Sequence, residues 1–370
     1  MKRKPRTSFL DTLEAAQRLA FAPFIFQAAA AALRFGFLEA VNRHPGATPA
    51  EIARDIAITP YAAGVIADLL VPAGVLDRVP AKGEKGERST GLALSSVGDL
   101  LLFDEMTRAN FFFTESVCYQ GLGKTAESLA EGRPAGLSAF DPSWKTIYPH
   151  LPELPEEAQK AWFGFDHWHS DRAYEAALEI LAEACAPTGP RKLVDIGGNT
   201  GRFSREFLLR FPASTAVLVD LPVEVELLPS RPGIADVKDR LEGASIDWLT
   251  DDELTDRPAV ADADIFWMSQ FLDCFSEAEA VSILERTRRA MAPGARLAVL
   301  EPIVSEQRHR AAELSLAATN LYFTVLANGN SRFFNGEDLR RIFREAGFRI
   351  ESETPDLGVS HTLFLLVPEA

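Results

Sequence analysis

The sequence predicts an α/β protein with a Rossmann-like, doubly wound parallel sheet and an N-terminal all-α, winged-helix-like domain. A buried strand, a glycine-rich turn and a helix follow one another between Leu193 and Phe211. A second strand then ends in the acid Asp220, and strands alternate with helices from Arg191 onwards. Such alternation is typical of a parallel sheet that is covered by helices on both faces.

The glycine-rich turn indicates which kind of cofactor the sheet binds. It contains, in order, Asp195, Gly197, Gly198, Asn199 and Gly201. A dinucleotide site would have the spacing Gly-x-Gly-x-x-Gly in front of a pyrophosphate, which this turn lacks. The acid beside the turn suits an amino-bearing cation, and Asp220, about 20 residues further on, suits a ribose diol. The pattern therefore favours S-adenosylmethionine over NAD, with a plain connecting turn as the alternative.

The composition excludes several classes of function. The 370 residues carry a net charge of -15, which argues against a nucleic-acid partner because phosphate binding needs a clustered basic face. The three cysteines lie far apart, which predicts neither a disulfide nor a thiolate metal site and fits a reducing cytoplasm. The apolar segment Leu19 to Leu33 is too short and too interrupted to cross a bilayer. We expect a cytoplasmic protein without a metal, a nucleic-acid partner or a membrane partner.

Residues 1–115 are expected to form the winged-helix-like domain. Leu19 to Leu33 is interpreted as a buried, Ala-rich helix. Thr48-Pro-Ala-Glu51 is a capping box that opens a short helix, and Thr59-Pro60 caps a longer one. A polar turn over Ala81 to Glu87 would then connect two strands of a hairpin.

The residues of the second of these helices indicate whether the domain binds DNA. It runs from Pro60 to Leu70, contains no Lys, Arg, Asn or Gln, and carries Asp68. Without such side chains it cannot form hydrogen bonds with base edges. We therefore expect the domain to serve packing or dimerisation.

Residues 116–370 are expected to form the second domain, with linking helices over 116–187 and the Rossmann-like core over 188–370. The linking region is rich in aromatic residues, of which Trp162 and Phe163 are candidates to line a flat substrate pocket. The predicted strands of the core are Lys192 to Ile196, Thr215 to Asp220, Ala263 to Met268, Ala295 to Glu301, Ile350 to Glu353 and Thr362 to Val367.

Several motifs in this order resemble those of the plant-type small-molecule O-methyltransferases. They are Leu193 to Phe203, Phe211-Pro212, Val219 to Pro222, Ser282 to Arg286, Ala292 to Gly294 and Leu300 to Pro302. The resemblance covers most of the chain and implies a class I methyltransferase fold, S-adenosylmethionine as the cofactor and a homodimer formed through the N-terminal domain. The motifs are specific for the cofactor and much less so for the substrate, which the resemblance implies is a small aromatic molecule.

The resemblance also implies roles for single residues. Asp195 to Gly201 would hold the methionyl part of the cofactor, and Asp220, with Leu221 beside it, the ribose. Asp247 and Trp248 stand where the family places an acid and an apolar residue for the adenine. Further polar contacts to the cofactor are expected from Ser269 and Ser170, and Asn320 and Asn328 fall where the family lines its substrate pocket. A plain turn is the alternative for Asn328-Gly329.

The expected catalytic residues depart from the family pattern. In the family a His follows the fourth strand of the core and takes the proton of the substrate hydroxyl, whereas Asp273 stands at that position here. Glu301, after the fifth strand, matches a family Glu. A carboxylate is a poor base for a phenol, because the two pKa values differ by about six units. The chain therefore looks like a bacterial variant that lacks the usual catalytic His.

Three interpretations of this departure stay open. In the first, Asp273 is the general base, and its apolar neighbours Phe271, Leu272 and Phe275 raise its pKa. Alternatively, the methyl group goes to a ring carbon next to the hydroxyl, and Asp273 or Glu301 holds the phenol. In the third, the chain is a non-catalytic ligand-binding or winged-helix regulatory protein on the same fold.

His361 and the segment Gln270 to Phe275 add two further expectations. His361, just before the last predicted strand, is interpreted as an ordinary residue of the sheet edge, with a replacement base as the alternative. The segment Gln270 to Phe275 is similar to that of bacterial methyltransferases of aryl polyene pigment pathways. This similarity implies an aromatic ring as the methyl acceptor. An acceptor tethered to a carrier protein is also among the expected partners.

Overall fold

The computed structural model describes residues 8–81, 90–250 and 252–369. The chain divides into two compact units, Met1–Glu115 and Ser116–Ala370.

The N-terminal unit combines short helices with a hairpin. Its helices are α1 (Phe9–Ala20), α2 (Ala22–Arg34), α3 (Phe37–Arg43), α4 (Pro49–Asp55), α5 (Pro60–Leu70), α6 (Ser96–Phe103) and α7 (Glu105–Phe113). Strands β1 (Leu76–Pro80) and β2 (Thr90–Leu94) pair antiparallel, with Leu76 opposite Leu94. Apart from Ala81, the predicted turn between them lies outside the described residues. The arrangement agrees with the expected winged-helix-like domain.

Local capping starts two of these helices where the sequence predicts. The Thr48 hydroxyl accepts a hydrogen bond from the Glu51 amide, and the Glu51 carboxylate accepts one from the Thr48 amide at 2.7 Å. The Thr59 hydroxyl accepts from the Ala62 amide at 3.1 Å. Both helices have Pro in the first turn, where no backbone donor is needed.

The predicted buried helix over Leu19 to Leu33 is wrong in two respects. The chain bends by 64° between α1 and α2, and Pro23 lies at the start of α2. Only the end of α2 is buried, and α1 buries no residue at all within the chain. No single described helix is both long and apolar enough to span a bilayer, although the bent pair α1 and α2 together meets the length and composition required.

The C-terminal unit contains the large sheet. Its strands are β3 (Lys192–Ile196), β4 (Thr215–Asp220), β5 (Leu241–Ser245), β6 (Ile265–Ser269), β7 (Arg296–Pro302), β8 (Phe348–Leu357) and β9 (His361–Pro368). Its α-helices are α8 (Thr125–Glu131), α9 (Glu156–Ser170), α10 (Tyr174–Ala184), α11 (Arg202–Arg210), α12 (Pro222–Leu227), α13 (Glu277–Ala290), α14 (Arg310–Tyr322) and α15 (Gly336–Glu345).

The strand order is β5-β4-β3-β6-β7-β9-β8. Strands β3 to β7 are parallel, and β9 joins them antiparallel between β7 and β8. From β3 the chain winds first towards β5 and then back to β6, so the order reverses beside β3. In open α/β sheets such a switch point creates a crevice at the carboxyl ends of the strands, where ligands bind.

Helices cover both faces of this sheet. Because neighbouring residues of a strand point to opposite faces, Phe266 packs with α13 and α15 while Trp267 packs with α10 and α11. The Trp267 ring stacks on Phe203 of α11 with 3.8 Å between ring centroids. The fully buried strands fix the positions of the residues that follow them, at the carboxyl edge.

Candidate active site

The glycine-rich turn follows β3 at the switch point. Gly197 has a φ of +70°, and a Cβ there would lie 2.2 Å from the ring of Phe271, so only glycine fits this place. The Gly197 amide donates to the Val219 carbonyl at 2.8 Å, which holds the turn against β4.

Two acids flank this turn. Asp195 is 2% exposed, its carboxylate accepts from the Ser204 hydroxyl at 2.6 Å, and burial raises its pKa to about 6. Asp220, at the end of β4, accepts from the amides of Asn199 and Leu221, both at 2.7 Å. Loss of solvation raises the pKa of Asp220 to about 7. Asp220 therefore ties the glycine-rich turn to the neighbouring strand, and each of its oxygens keeps a lone pair for a ligand hydroxyl.

Asp247 and Trp248 come next along the same edge, because β5 pairs with β4. The Asp247 carboxylate accepts from the Leu249 amide at 3.0 Å. Trp248 is 5% exposed and packs against Phe271 and the guanidinium of Arg286, which lies 5.0 Å from the ring centroid. The Trp248 indole N–H finds no hydrogen-bond partner in the described part of the chain.

Two serines lie on the other side of the turn. Ser269 ends β6, and its buried hydroxyl has no partner among residues 8–81, 90–250 and 252–369. Ser170 ends α9, donates to the Asp166 carbonyl at 2.9 Å and accepts from the Tyr174 hydroxyl at 3.4 Å. Ser269 is thus free for a ligand at the carboxyl edge, whereas Ser170 is engaged by its own helix and by α10.

Asp273 occupies a buried turn after β6. It lies in the 3₁₀ segment Leu272–Cys274 and is 2% exposed. Burial raises the pKa of Asp273 to about 7, and the nearby Asp166 carboxyl acts in the same direction. The Cys274 thiol lies 3.5 Å from its carboxylate. A carboxyl group in this state can accept a proton near neutral pH.

Glu301 holds the turn that carries Asp273. One of its carboxylate oxygens accepts from the amides of Phe271 and Leu272, at 3.1 and 2.9 Å. Its other oxygen is buried without a partner in the described residues. Burial and the neighbouring Asp273 carboxyl raise the pKa of Glu301 well above its ordinary value. These hydrogen bonds fix the backbone of the turn on which Asp273 lies.

Aromatic side chains cluster beside this acidic turn. The Trp162 indole of α9 donates to the Tyr322 hydroxyl of α14 at 2.9 Å. Burial raises the pKa of Tyr148 and of Tyr322 well above the ordinary value, and the nearby Cys274 acts in the same direction on both. Because Asp273 also raises the pKa of Tyr148, these groups lie close to one another. Their rings are apolar and carry polar tips, a combination that is common in sites for small aromatic ligands.

The other residues expected to line the substrate pocket either lie elsewhere or form hydrogen bonds within the protein. Phe163 faces an open groove of about 950 Å³, together with His167, Thr200 and Arg231. The side-chain oxygen of Asn320 accepts from the Phe333 backbone amide at 2.8 Å. The side-chain Nδ2 of Asn328 donates to the Cys274 carbonyl at 2.5 Å, so Asn328 supports the turn of Asp273.

Sequence reasoning missed Gln270 as a site residue and underestimated the burial of His361. His361 is 1% exposed and begins β9, which lies between β7 and β8, so its predicted place at the sheet edge is wrong. Its Nε2 lies 3.0 Å from the Gln270 Oε1. Gln270 has a φ of +47°, a strained conformation for a residue other than glycine. The described residues contain no group of three or more His, Cys, Asp or Glu placed to hold a metal ion.

Comparison with known proteins identifies the family. Residues 172–349 match the O-methyltransferase domain, and residues 14–78 match the Dimerisation2-like domain. The O-methyltransferase SfmM3 of Streptomyces lavendulae is 30% identical over 248 residues, which are 60% of this chain and 72% of that protein. The chain belongs to the O-methyltransferase family.

Two further proteins resemble this O-methyltransferase over nearly its whole length. The 3-amino-4-hydroxybenzoate 4-O-methyltransferase of Streptomyces cremeus is 26% identical over 333 residues, covering 89% of this chain and 83% of the relative. The structure of the mitomycin 7-O-methyltransferase MmcR superposes with a TM-score of 0.72, at 18% identity, and covers 98% of both chains. The class I methyltransferase fold is thus confirmed, and the non-catalytic alternative is not favoured.

The enzyme is an S-adenosylmethionine-dependent methyltransferase, and the residues present fit this cofactor. At Gly197 the backbone of the glycine-rich turn packs directly against the Phe271 ring, where no side chain would fit. The orphaned hydroxyl of Ser269 and the orphaned indole N–H of Trp248 lie on either side of this turn along the carboxyl edge. Neither arginine nor lysine follows β3 within the turn itself, in keeping with a cofactor that carries no phosphate.

Proposed function

We propose that this O-methyltransferase methylates a phenolic hydroxyl of a small aromatic acceptor, with Asp273 as the general base. The observation that carries the proposal is the position of the Asp273 carboxyl, which is 2% exposed and lies beside Cys274 and near Tyr148. Burial raises the pKa of this carboxyl to about 7. An ordinary Asp is about six pKa units below a phenol, and the raised value reduces this difference to about three. Proton transfer from the acceptor hydroxyl to Asp273 thereby becomes feasible.

The cofactor would be held by the residues of the carboxyl edge. The proposed contacts are Asp195, Gly197, Gly198, Asn199, Gly201, Asp220, Leu221, Asp247, Trp248, Ser269 and Ser170. When bound, S-adenosylmethionine supplies an electrophilic methyl group on a sulfonium. Asp273 takes the proton of the acceptor hydroxyl, Glu301 and Asn328 hold the turn of Asp273, and Trp162 with Tyr322 orients the acceptor ring. Orientation contributes much of the rate when the reacting groups are already aligned.

The exposed surface of the N-terminal unit supports homodimerisation. Large apolar side chains are exposed on α1 and α2, including Phe9 at 79%, Leu19 at 79% and Phe24 at 64%. Apolar surface of this kind on a folded protein marks an interaction site. We infer that these helices pack against a second copy of the chain, and that the division at residues 115 and 116 separates a dimerisation domain from the catalytic domain.

The acceptor is proposed to be a free molecule in the cytoplasm. An acceptor tethered to a carrier protein is the alternative from the sequence, and a thioester in the substrate panel tests it. Methylation of a ring carbon is the second alternative, and it yields a product of the same mass.

The test is a reaction with methyl-labelled S-adenosylmethionine and a panel of hydroxylated aromatic acids and thioesters. The panel includes 3-amino-4-hydroxybenzoate, 4-hydroxybenzoate and 4-hydroxy-3-methylbenzoate. We expect a labelled product whose fragmentation in the mass spectrometer releases the label as a methoxy group. A label retained on the ring would replace O-methylation by C-methylation, and no labelled product from any acceptor would contradict the proposal.

A further inference from the structure

His361 lies at the carboxyl edge of the sheet, away from the glycine-rich turn. It is the first residue of β9 and pairs with Pro302 at the end of β7. Three strand spacings separate β9 from β3, which corresponds to about 14 Å. His361 therefore lies at the β9 side of the carboxyl edge, three strands from β3, which carries the glycine-rich turn.

The hydrogen bond to Gln270 fixes the proton of the imidazole. The Oε1 of Gln270 can only accept, so the Nε2 of His361 carries the hydrogen across the 3.0 Å contact. In the neutral ring, Nδ1 is then an acceptor with a free lone pair. This atom is buried and has no hydrogen-bond partner among the described residues.

The surroundings hold this arrangement in place. The Gln270 amide donates to the Leu300 carbonyl at 2.9 Å, and the Gln307 side chain donates to the Ser360 carbonyl at 3.2 Å. Burial lowers the pKa of His361 to about 3, and the neighbouring His169 acts in the same direction. The pKa of His169 is itself lowered to about 4 by burial. Both rings are thus neutral at physiological pH, and Nδ1 of His361 stays an acceptor.

A buried acceptor without a partner is costly, so a donor on a bound molecule would relieve that cost. We propose that Nδ1 of His361 accepts a hydrogen bond from a second ring substituent of the methyl acceptor, a hydroxyl or amino group next to the hydroxyl that is methylated. This inference rests on the proposed function and names the chemistry of its substrate. His361 selects the acceptor through this contact, and Gln270 is its positioning residue.

The test compares two rings that differ in one donor. The probes are 3-amino-4-hydroxybenzoate and 4-hydroxy-3-methylbenzoate, in which a methyl group replaces the amino group at similar size. Dissociation constants are measured by titration calorimetry on the full chain saturated with S-adenosylhomocysteine. We expect the amino ring to bind about tenfold more tightly, the factor that one buried hydrogen bond contributes.

Two variants of nearly the same size as His361 show whether its Nδ1 causes the binding preference. In His361→Asn the side-chain oxygen can take the place of Nδ1, so the preference should be retained. In His361→Leu the acceptor is lost, and the two rings should bind about equally. Should His361→Leu fail to fold, His361→Gln replaces it, because its acceptor lies towards Gln270 instead of the position of Nδ1.

The outcomes separate this inference from the proposed function. A preference that persists in His361→Leu, equal binding of both rings to the unmodified enzyme, or no binding of either ring overturns the inference. Methylation of both rings at equal efficiency overturns the inference and leaves the proposed function intact. The predicted binding pattern without any methylated product would instead contradict the proposed function and leave the contact between His361 and the ring substituent standing.

Discussion

Replacing Asp273 by Asn removes the proposed base while keeping the shape of the side chain. Asp273 is 2% exposed, and its carboxylate accepts a hydrogen bond from the Cys274 thiol at 3.5 Å. An Asn amide can keep this contact and fills the same space. The substitution therefore isolates the charge and the proton acceptor.

The expected loss of activity follows from the role of a general base. Such a base contributes about 10²–10⁴-fold to the rate, so Asp273→Asn should lower kcat by this factor with a smaller change in KM. Asp273 must be deprotonated to act, and its pKa is about 7. In single-turnover measurements the rate of the unmodified enzyme should rise with pH up to about 7 and then level off. The variant should lack this rise.

The same substitution should stabilise the fold at high pH. The folded chain holds the Asp273 proton up to about pH 7, whereas an unfolded chain releases it near pH 4. The folded state therefore binds more protons in this range, and stability falls as pH rises from about 4 to about 7. Three pKa units correspond to at most about 4 kcal/mol, an upper limit because Glu301 can share the proton.

Both effects are measured against a control. Asp239→Asn changes an exposed carboxyl of the same unit and should alter neither kcat nor the pH dependence of thermal unfolding. Asp273→Asn should unfold at a higher temperature than the unmodified enzyme at pH 8 and at about the same temperature at pH 4. An unchanged kcat in Asp273→Asn would refute the assignment of the base.

Three further outcomes are expected. Glu301→Ala should lower kcat and destabilise the fold by about 2 kcal/mol, because two backbone amides lose their acceptor. Glu301→Gln keeps that oxygen and should retain most activity. Equal effects of both variants on stability in chemical unfolding would contradict this prediction. Gly197→Ala should weaken cofactor binding at least tenfold in calorimetry, since the new Cβ would meet Phe271 and the backbone has a φ of +70°. As a control, a Cβ at Gly123 would lie in open space, so Gly123→Ala should bind the cofactor normally. Phe24→Glu should convert the expected dimer to a monomer, as measured by light scattering. Leu129 on α8 is as exposed as Phe24, and Leu129→Glu should leave the dimer intact. A dimer in both variants would place the interface elsewhere.

Strands β3 and β4 could be predicted from the sequence to the residue, because both are buried on both faces and read as continuous apolar runs. Strand β5 was missed. Its residues, Leu241–Ser245, are only partly buried and include a glycine, as is common for an edge strand. The break between α1 and α2 had a visible signal in Pro23, which favours the first turn of a helix.

The cofactor motif could be recognised because its residues are close in sequence. The proposed acceptor region could be recognised only in part, since it brings together α9, α14, the turn after β6 and the start of β9. The contact between Gln270 and His361 joins residues 91 positions apart and depends on β9 inserting antiparallel beside β7. No local pattern encodes such a pairing, and the burial that shifts the pKa of Asp273 is equally a property of the assembled fold.

The most direct test of Asp273 as the base is a crystal structure of the enzyme with S-adenosylhomocysteine and 3-amino-4-hydroxybenzoate. We predict that the phenolic oxygen lies within about 3.2 Å of the Asp273 carboxylate, the distance that proton transfer requires. We also predict that the amino group lies at Nδ1 of His361. A phenolic oxygen that contacts neither Asp273 nor a water molecule bound to it would contradict the proposed role of Asp273.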